Sequence, residues 1–273
     1  MKNLRGWNEF GIAPTTNHAA AGYDFYVPYL DTVEKKAKAL KAFEKSYKKT
    51  SEELEELMNK LKISVTSQWG HRFVEDNIEN ILMLYLSLDS NTLNDLGAIN
   101  SDARISKFVN NYLLFDENLK PGIVPLFSDH LFICSGVHVC LESETAGIFY
   151  NKSGMGIRGW DTRACVVDED YSGICHLSAS YTKMNSAQGK FFCGDKFSQM
   201  VVEVIVRGDS FEDMGEEAYK EAMANSSSGF MSMDPKTGAV KAYVGGLDYP
   251  HFMYDMVSLG RSIITRCESV LHS

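Results

Sequence analysis

In "VVDEDYSG", residues 166–173, two β-branched residues lead into an acidic cluster that is followed by tyrosine, serine and glycine. Valine favours a strand, whereas aspartate, serine and glycine favour a tight turn. The same texture recurs from about residue 120 to 206 in "GIVPLFSDHLFICSGVHVCLES", "TAGIFYNKSG", "ACVVDEDYSGICHLSASYT" and "DKFSQMVVEVIV". These runs predict a mainly β fold with an antiparallel sandwich or jelly-roll core.

A helical texture precedes the strands, between residues 32 and 114. Segments such as "VEKKAKALKAFEKSYKKT" and "SEELEELMNKLKI" repeat apolar residues every three or four positions, and the region predicts about four helices. Thr50 followed by Glu53 fits a capping box at the start of one of them. We interpret the Lys and Glu faces as solvated helix surface, with a partner-binding surface as the alternative.

Composition limits the possible functions. The chain has 273 residues, of which 44% are hydrophobic and 23% charged, as is ordinary for a folded protein. A formal net charge of -9 argues against nucleic-acid binding, which needs a concentrated basic surface. The sequence contains no long apolar run and no signal-peptide core at residues 1–10, so we expect a cytoplasmic protein without membrane contact.

The cysteines allow one metal hypothesis. In "CSGVHVC", His138 and Cys140 would share one face of a strand. Together with Cys134, and with Cys175 or His176, they could form a zinc site. The alternative is that these residues belong to apolar core strands with reduced thiols, because cysteine is among the most buried residue types. The spacing favours the core interpretation.

An ordered series of short motifs carries a family resemblance. "AGYD", "KPG", "NKSGMG", "VVDEDYSG", "GDKFSQ" and "GFMS" follow one another along the chain. The series resembles the motifs of the trimeric dUTPase family over residues 18 to 31 and 115 to 234. The resemblance implies a discontinuous jelly-roll core of residues 1–31 and 115–234, a helical insertion at 32–114 and a C-terminal extension at 235–273.

The resemblance also implies an activity. Members of the family hydrolyse dUTP to dUMP and pyrophosphate with Mg²⁺, as homotrimers whose sites draw motifs from neighbouring subunits. Asp168 matches the aspartate that holds the attacking water, and a carboxylate in that place can accept the water's proton. Tyr171 matches the aromatic platform under the deoxyribose, where a packed ring leaves no space for a 2′-hydroxyl.

The resemblance assigns base selection to the segment "TRAC", residues 162–165. This segment matches the hairpin whose backbone groups hydrogen-bond to the edge of the uracil in the family. Thr162 stands where an asparagine is usual and Cys165 where a glycine is usual. The sequence therefore leaves open a related hydrolase that acts on another deoxynucleoside triphosphate.

Other matches concern the phosphates and the metal. Lys152, Ser153 and Gly154 match the loop that cradles the phosphates, with a lysine point charge in place of the usual arginine. Gln199 matches a glutamine that contacts the phosphates. Asp24 matches the aspartate that holds the magnesium shell through water, which suits an ion that keeps several of its waters.

The last motif departs from the family pattern. Phe230 fits the phenylalanine that closes over the base, but Asn225 stands in place of the arginine that binds the terminal phosphate. The replacement cation could come from Lys236, Lys241 or Arg158.

Two further alternative functions follow from these differences from the family motifs. A fold-related dCTP deaminase would need a catalytic glutamate near Ser178, which the sequence lacks. A non-catalytic nucleotide-binding regulator would instead bind a protein partner through residues 32–114.

Overall fold

The computed structural model describes residues 4–16, 21–88, 92–93, 101–163, 166–183, 189–204, 230–233 and 240–244. The chain divides into two compact units, Met1–Val204 and Ile205–Ser273. The divisions that the resemblance implies at residues 31, 114 and 234 stay predictions.

The described strands of the first unit are, in chain order, β1 (Leu4–Asn8), β2 (Tyr23–Tyr26), β3 (Leu113–Phe115), β4 (Pro121–Ile123), β5 (His130–Leu141), β6 (Thr145–Asn151), β7 (Trp160–Thr162), β8 (Val166–Val167), β9 (Ile174–Tyr181), β10 (Phe191–Phe192) and β11 (Lys196–Val204). In the second unit, β12 (Phe230–Met233) pairs antiparallel with β13 (Val240–Val244).

The first unit contains three antiparallel sheets, ordered β1-β5-β9-β7, β2-β11-β6-β8 and β10-β4-β3. The strands expected between residues 120 and 206 are therefore confirmed as antiparallel elements. Their arrangement as a jelly roll stays a prediction.

The described helices of the first unit are α1 (Val33–Tyr47), α2 (Ser51–Trp69), α3 (Ile78–Ser87), α4 (Ser101–Lys107) and α5 (Ser153–Arg158), together with a 3-10 turn at His71–Phe73 and a π-helical turn at Phe108–Tyr112. Four of them lie between β2 and β3, where the apolar spacing predicts helices. Within the described ranges, no helix has the length and apolarity needed to cross a bilayer.

Side-chain caps start the first two helices. The Lys35 N–H donates to Thr32 Oγ1 at 3.2 Å, so Thr32 is the N-cap of α1. At α2, the Glu53 N–H donates to Thr50 Oγ1 while the Thr50 N–H donates to the Glu53 carboxylate. The predicted capping box is thereby confirmed, and it satisfies two N–H groups that have no partner inside the helix.

The helical pattern stops earlier than its apolar spacing suggests. Leu113–Phe115 forms β3 and pairs with β4, although the sequence continues the helical period to this point. The cause is the Asp116 side chain, whose Oδ1 accepts the N–H groups of Asn118 at 2.9 Å and Lys120 at 2.7 Å. These bonds fix a turn that folds the chain back as a hairpin.

The long strand β5 is bent at Gly136. Gly136 adopts a φ of +69°, and a Cβ at this position would lie 2.5 Å from the Phe10 ring. The pairing of β5 with β9 shifts between Cys134 and His138, so His138 faces Ile174 across the sheet. A bulge of this kind re-aims the side chains that follow it.

Helices and strands share one hydrophobic core. Phe43 of α1, Leu61 of α2 and Ile81 of α3 are fully buried in the same cluster as Phe25 of β2 and Ile133 of β5. Helices α1, α2 and α3 therefore pack on the sheets with their apolar sides and form part of the compact unit.

A buried asparagine joins α3 to the segment that follows β2. Asn80 Oδ1 accepts the Leu30 N–H at 2.8 Å, and Asn80 Nδ2 donates to the Leu30 carbonyl at 3.2 Å. Both residues are fully buried. One side chain thus satisfies the two backbone groups of a residue that lies outside any helix or strand.

The first helix is attached to β5 through a tyrosine. The Tyr47 hydroxyl donates to the Phe132 carbonyl at 3.1 Å and accepts the Cys134 N–H at 3.1 Å. These bonds take the place of strand-to-strand hydrogen bonds just before the bulge of β5. They attach the C-terminal end of α1 to the backbone of β5.

We expect Asn80→Leu to lower the free energy of unfolding by about 2–5 kcal/mol, because two buried backbone groups lose their partners. Chemical denaturation of the full chain measures this change. The control is Asn110→Leu, at an exposed position where the amide meets only Ser106, and its effect should stay within about 0.5 kcal/mol. Equal effects of the two substitutions would contradict the role of Asn80.

Candidate active site

Residues 168–171 form a tight turn between β8 and β9. The Tyr171 N–H donates to the Asp168 carbonyl at 3.1 Å. The Glu169 carboxylate accepts the Glu144 N–H and so ties the turn to the neighbouring hairpin. Asp168 is exposed, and its carboxylate makes no hydrogen bond or ion pair with another described residue. Both of its oxygens are therefore available to a water molecule or a ligand.

Tyr171 stands beside this carboxylate. Its hydroxyl donates to the Ile174 carbonyl at 2.9 Å, and the side chain remains 41% exposed. A Cβ at Gly173 would lie 2.6 Å from the Tyr171 hydroxyl. The glycine in "DYSG" therefore lets the ring fold back over the chain, with one face left open.

A cavity of about 1100 Å³ contains both Asp168 and Tyr171. The cavity is lined by the turn and the start of β9, by Phe132 and His138 of β5, and by one face of α1. That face presents Lys38, Lys41 and Lys45. The helical spacing of these lysines is visible in the sequence, but their presence in the cavity of Asp168 is not.

An aromatic pair closes one end of the cavity. The Phe132 and His176 rings stack with centroids 4.3 Å apart and planes 4° from parallel. Burial lowers the pKa of His176 below its ordinary value. His176 Nε2 is buried and has no hydrogen-bond partner among the described residues, so the ring is held as a neutral imidazole.

The zinc hypothesis is wrong for the described residues, which contain no group of three metal-binding side chains. His138 instead lies between Glu9 Oε1 at 2.9 Å and the Ser172 carbonyl at 3.0 Å. The Cys134 thiol is buried and accepts a hydrogen bond from Ser46. Burial raises the pKa of Cys134, which disfavours the thiolate that a metal requires.

Three other predicted residues meet at the end of the second sheet. Asp24 of β2 lies opposite Gln199 of β11 in the strand register. The Lys152 ammonium lies 2.5 Å from Asp24 Oδ1, and that of Lys196 lies 2.9 Å from Oδ2. Burial acts to raise the pKa of Asp24, but the hydrogen bonds and charges of the two lysines outweigh it and lower the pKa.

Lys196 was missed by the sequence analysis, although it lies inside the motif "GDKFSQ". Its only distinguishing signal was its position three residues before Gln199. With Lys152, it gives the Asp24 cluster one positive charge in excess.

The predicted phosphate loop begins a helix. Lys152 is the N-cap of α5, and its carbonyl accepts the N–H groups of Met155 and Gly156. The N–H groups of Ser153 and Gly154 have no partner inside the helix, as is general for a first turn. Both residues are exposed, and a Cβ at Gly154 would meet open space.

Thr162 is bound to the strand that leads into this helix. Its N–H and its hydroxyl both donate to Asn151 Oδ1, at 2.8 and 2.6 Å. Cys165 lies outside the described residues, and Phe230 is described only as part of the strand β12.

The Asp24 cluster does not fit a magnesium ion. Both carboxylate oxygens face ammonium groups, which compete with a cation for the same lone pairs. Magnesium needs oxygen ligands in near-octahedral order. The ion therefore stays a prediction of the resemblance.

The predicted site residues thus fall into two groups. Asp168 and Tyr171 line the large cavity. Asp24 and Gln199 belong to β2 and β11, and Thr162 is the last residue of β7. Lys152, Ser153 and Gly154 follow β6 and begin α5. None of these residues lines that cavity.

No protein-family model matches the chain, and no curated protein matches it. The similar solved structures are dUTPases. The native EIAV enzyme is 19% identical over 36% of this chain and 88% of its own, with a TM-score of 0.28. A mutant from phage phi11 of S. aureus, described with a structural Mg(II) ion, is 16% identical over 33% of this chain and 74% of its own, at 0.29.

A further similar structure covers more of the chain. A mutant of the Staphylococcus bacteriophage 80alpha dUTPase, solved with dUpNHpp, is 9% identical over 77% of this chain and 87% of its own, with a TM-score of 0.37. These TM-scores are low, so the function proposed for this chain rests on its own residues.

The half-buried His176, with its buried Nε2, predicts a pH dependence of stability. Because its pKa is lowered in the folded state, the unfolded chain binds the proton more readily. The stability contributed by the neutral ring is present above the ordinary pKa of about 6.5 and is lost as the pH falls below it. His176→Phe keeps the stack with Phe132 but cannot titrate, so it should gain stability relative to the wild type on acidification. Denaturation of both proteins from about pH 7.5 to 5.5 tests this, and a difference independent of pH would contradict it.

Proposed function

We propose that the protein hydrolyses dUTP to dUMP and pyrophosphate. The observation that carries the proposal is the unpaired, exposed carboxylate of Asp168, held beside the open face of Tyr171 in one cavity. The ordered motif series supplies the substrate class. The cavity volume of about 1100 Å³ leaves space for a nucleotide and a water molecule.

The reaction needs a water molecule held in line with the α-phosphorus. Asp168 orients this water and accepts its proton as the new bond from oxygen to phosphorus forms. The bond from the α-phosphorus to the bridging oxygen breaks, and pyrophosphate leaves with that oxygen. The turn fixes Asp168 relative to the ring of Tyr171, and thereby fixes the distance between sugar and water.

Tyr171 serves in this proposal as the deoxyribose platform. An aromatic face packed against C2′ excludes a ribonucleotide sterically, since a 2′-hydroxyl has no room. The hydrogen bond from the Tyr171 hydroxyl to Ile174 restricts rotation of the ring. The absence of a side chain at Gly173 lets the ring reach this position.

The two separated groups of site residues support a composite site. Lys152, Lys196 and Gln199 suit the phosphate end of a substrate, but they do not line the cavity of Asp168 in the same subunit. In a homotrimer, one subunit would contribute Asp168 and Tyr171 while a neighbour contributes the Asp24 cluster. The resemblance adds Mg²⁺ as a cofactor carried mainly by the substrate's phosphate oxygens.

A hydrolase for another deoxynucleoside triphosphate is the second candidate. The specific observation is Thr162, whose N–H and hydroxyl are both bound to Asn151 and are therefore not free to read a base edge. A panel of nucleotides decides between the two substrates.

A non-catalytic regulator with a protein partner is the alternative of a different class. Helices α1 to α3 are joined to the sheets through a shared core, so deleting residues 32–114 would expose apolar surface. Nucleotide turnover therefore discriminates the classes better than deletion does. Tight nucleotide binding without any turnover would favour the regulator.

We expect the purified protein to release pyrophosphate from dUTP in preference to dCTP, dTTP and UTP. Asp168→Asn should lower kcat by roughly 10²- to 10⁴-fold, because an amide cannot accept the proton from water. The matched control is Asp170→Asn, in the same turn and the same cavity, which should keep most of the activity. Full activity of Asp168→Asn, or an equal loss in both variants, would refute the assigned role.

Mixing two inactive variants tests the composite site. Asp168→Asn and Lys152→Ala subunits, each inactive alone, should regain activity when unfolded together and refolded as mixed trimers. If subunits assort at random, about a quarter of the sites would combine an intact Asp168 with an intact Lys152 from a neighbour. Mixed oligomers with no regained activity would show that each site lies within one subunit.

A further inference from the structure

The cavity of Asp168 has a cationic wall that no part of the proposed chemistry uses. Lys38, Lys41 and Lys45 occupy one face of α1, at the spacing that aligns side chains along a helix. At 1.5 Å per residue, they form a row about 10 Å long. A row of this length suits a polyanion with several charged groups rather than a single carboxylate.

The opposite side of α1 holds this row in place. Ala39 and Phe43 are fully buried in the core, and the Tyr47 hydroxyl is bound to the β5 backbone. The helix can therefore neither rotate nor withdraw without exposing apolar surface. The three lysines remain exposed and directed to the cavity side.

The three lysines form no ion pairs with the acidic residues that line the cavity. Lys38 pairs with Glu34 of its own helix, at 2.6 Å, and within the described ranges Lys41 and Lys45 have no ion pair. The Glu9 carboxylate, which also lines the cavity, is bound to His138. Asp168 and Asp170 are not paired with the lysines. The ammonium groups of Lys41 and Lys45 are thus available to a ligand, and that of Lys38 would exchange its exposed partner Glu34 for one.

The other cations that could replace the missing phosphate-binding arginine do not line this cavity within the described residues. Arg158 donates to the Lys190 carbonyl at 3.3 Å and does not line the cavity. Lys236 lies outside the described residues, and Lys241 is described only as part of the strand β13. Asn225, at the place of the expected arginine, also lies outside them.

We propose that the row Lys38, Lys41 and Lys45 binds the phosphate chain of the nucleotide whose sugar lies on Tyr171. The helix α1 would then supply, from within the same subunit as Asp168, the charge that the last motif lacks. Lysine ammonium groups serve this role as point charges, which tolerate several positions of a flexible phosphate chain. This inference rests on the proposed nucleotide substrate.

The test compares two variants of equal net charge by equilibrium binding to the full-length chain. The first carries Lys38→Gln, Lys41→Gln and Lys45→Gln. The control carries Lys62→Gln, Lys107→Gln and Lys190→Gln, none of which lines the cavity. The probes are dUTP with Asp168→Asn added to prevent turnover, deoxyuridine, and inorganic tripolyphosphate. Circular dichroism and thermal unfolding verify that each variant folds.

We expect the cavity variant to bind dUTP at least about tenfold more weakly than the control variant, since even one lost charge-assisted contact changes affinity by that order. Binding of deoxyuridine, which has no phosphates, should differ less than about twofold between the two variants. The salt dependence of dUTP binding should be shallower in the cavity variant, because fewer cations take part.

The outcomes separate this inference from the proposed function. Unchanged dUTP affinity in the cavity variant would refute the phosphate-binding role of the lysine row and leave the hydrolase proposal intact. Lysine-dependent binding of tripolyphosphate without any binding of dUTP or deoxyuridine would support the row and refute the nucleotide substrate. Failure of the wild type to bind either tripolyphosphate or dUTP would overturn both, and would leave an acidic protein segment as the ligand for the row.

Discussion

Two hydrogen bonds between the Asn80 amide and the Leu30 backbone connect the helices to the chain that leaves the second sheet. Leu30 lies where the chain leaves β2 and turns toward α1, and Asn80 lies on α3. Because both are fully buried, neither can exchange its partner for water. The pair therefore joins the start of the helical region to its third helix.

With the helices fixed, one face of α1 becomes a wall of the cavity. Phe43 anchors the helix in the core and Tyr47 binds β5 just before its bend. The bend at Gly136 then turns His138 toward β9, the strand that follows the turn of Asp168. A helical layer packed on one sheet and an irregularity within that sheet together shape the space around Asp168.

Charge is distributed unequally between the two groups of site residues. At the Asp24 cluster, a buried carboxylate holds two ammonium groups close together and leaves a positive excess. At the cavity, exposed acids and exposed lysines line one space without pairing with each other. The first arrangement is preorganised, whereas the second can adapt to an anion and a water molecule at once. In the proposed function, the first would bind one end of the substrate and the second would hold the reacting end.

Local signals in the sequence were sufficient to predict most helices, strands and turns. Runs of β-branched and aromatic residues predicted the strands, apolar spacing predicted the helices, and Thr50 with Glu53 marked the start of α2, because each signal acts within a few residues. The place of Asp168 and Tyr171 in one turn was equally local. The helix was predicted to continue past Leu113, but the turn at Asp116 overrides the continuing apolar period. The cations that share a cavity with Asp168 followed only from the packed fold. Helical spacing places Lys38, Lys41 and Lys45 on one face of α1, but buried contacts between residues distant in the chain decide what that face meets.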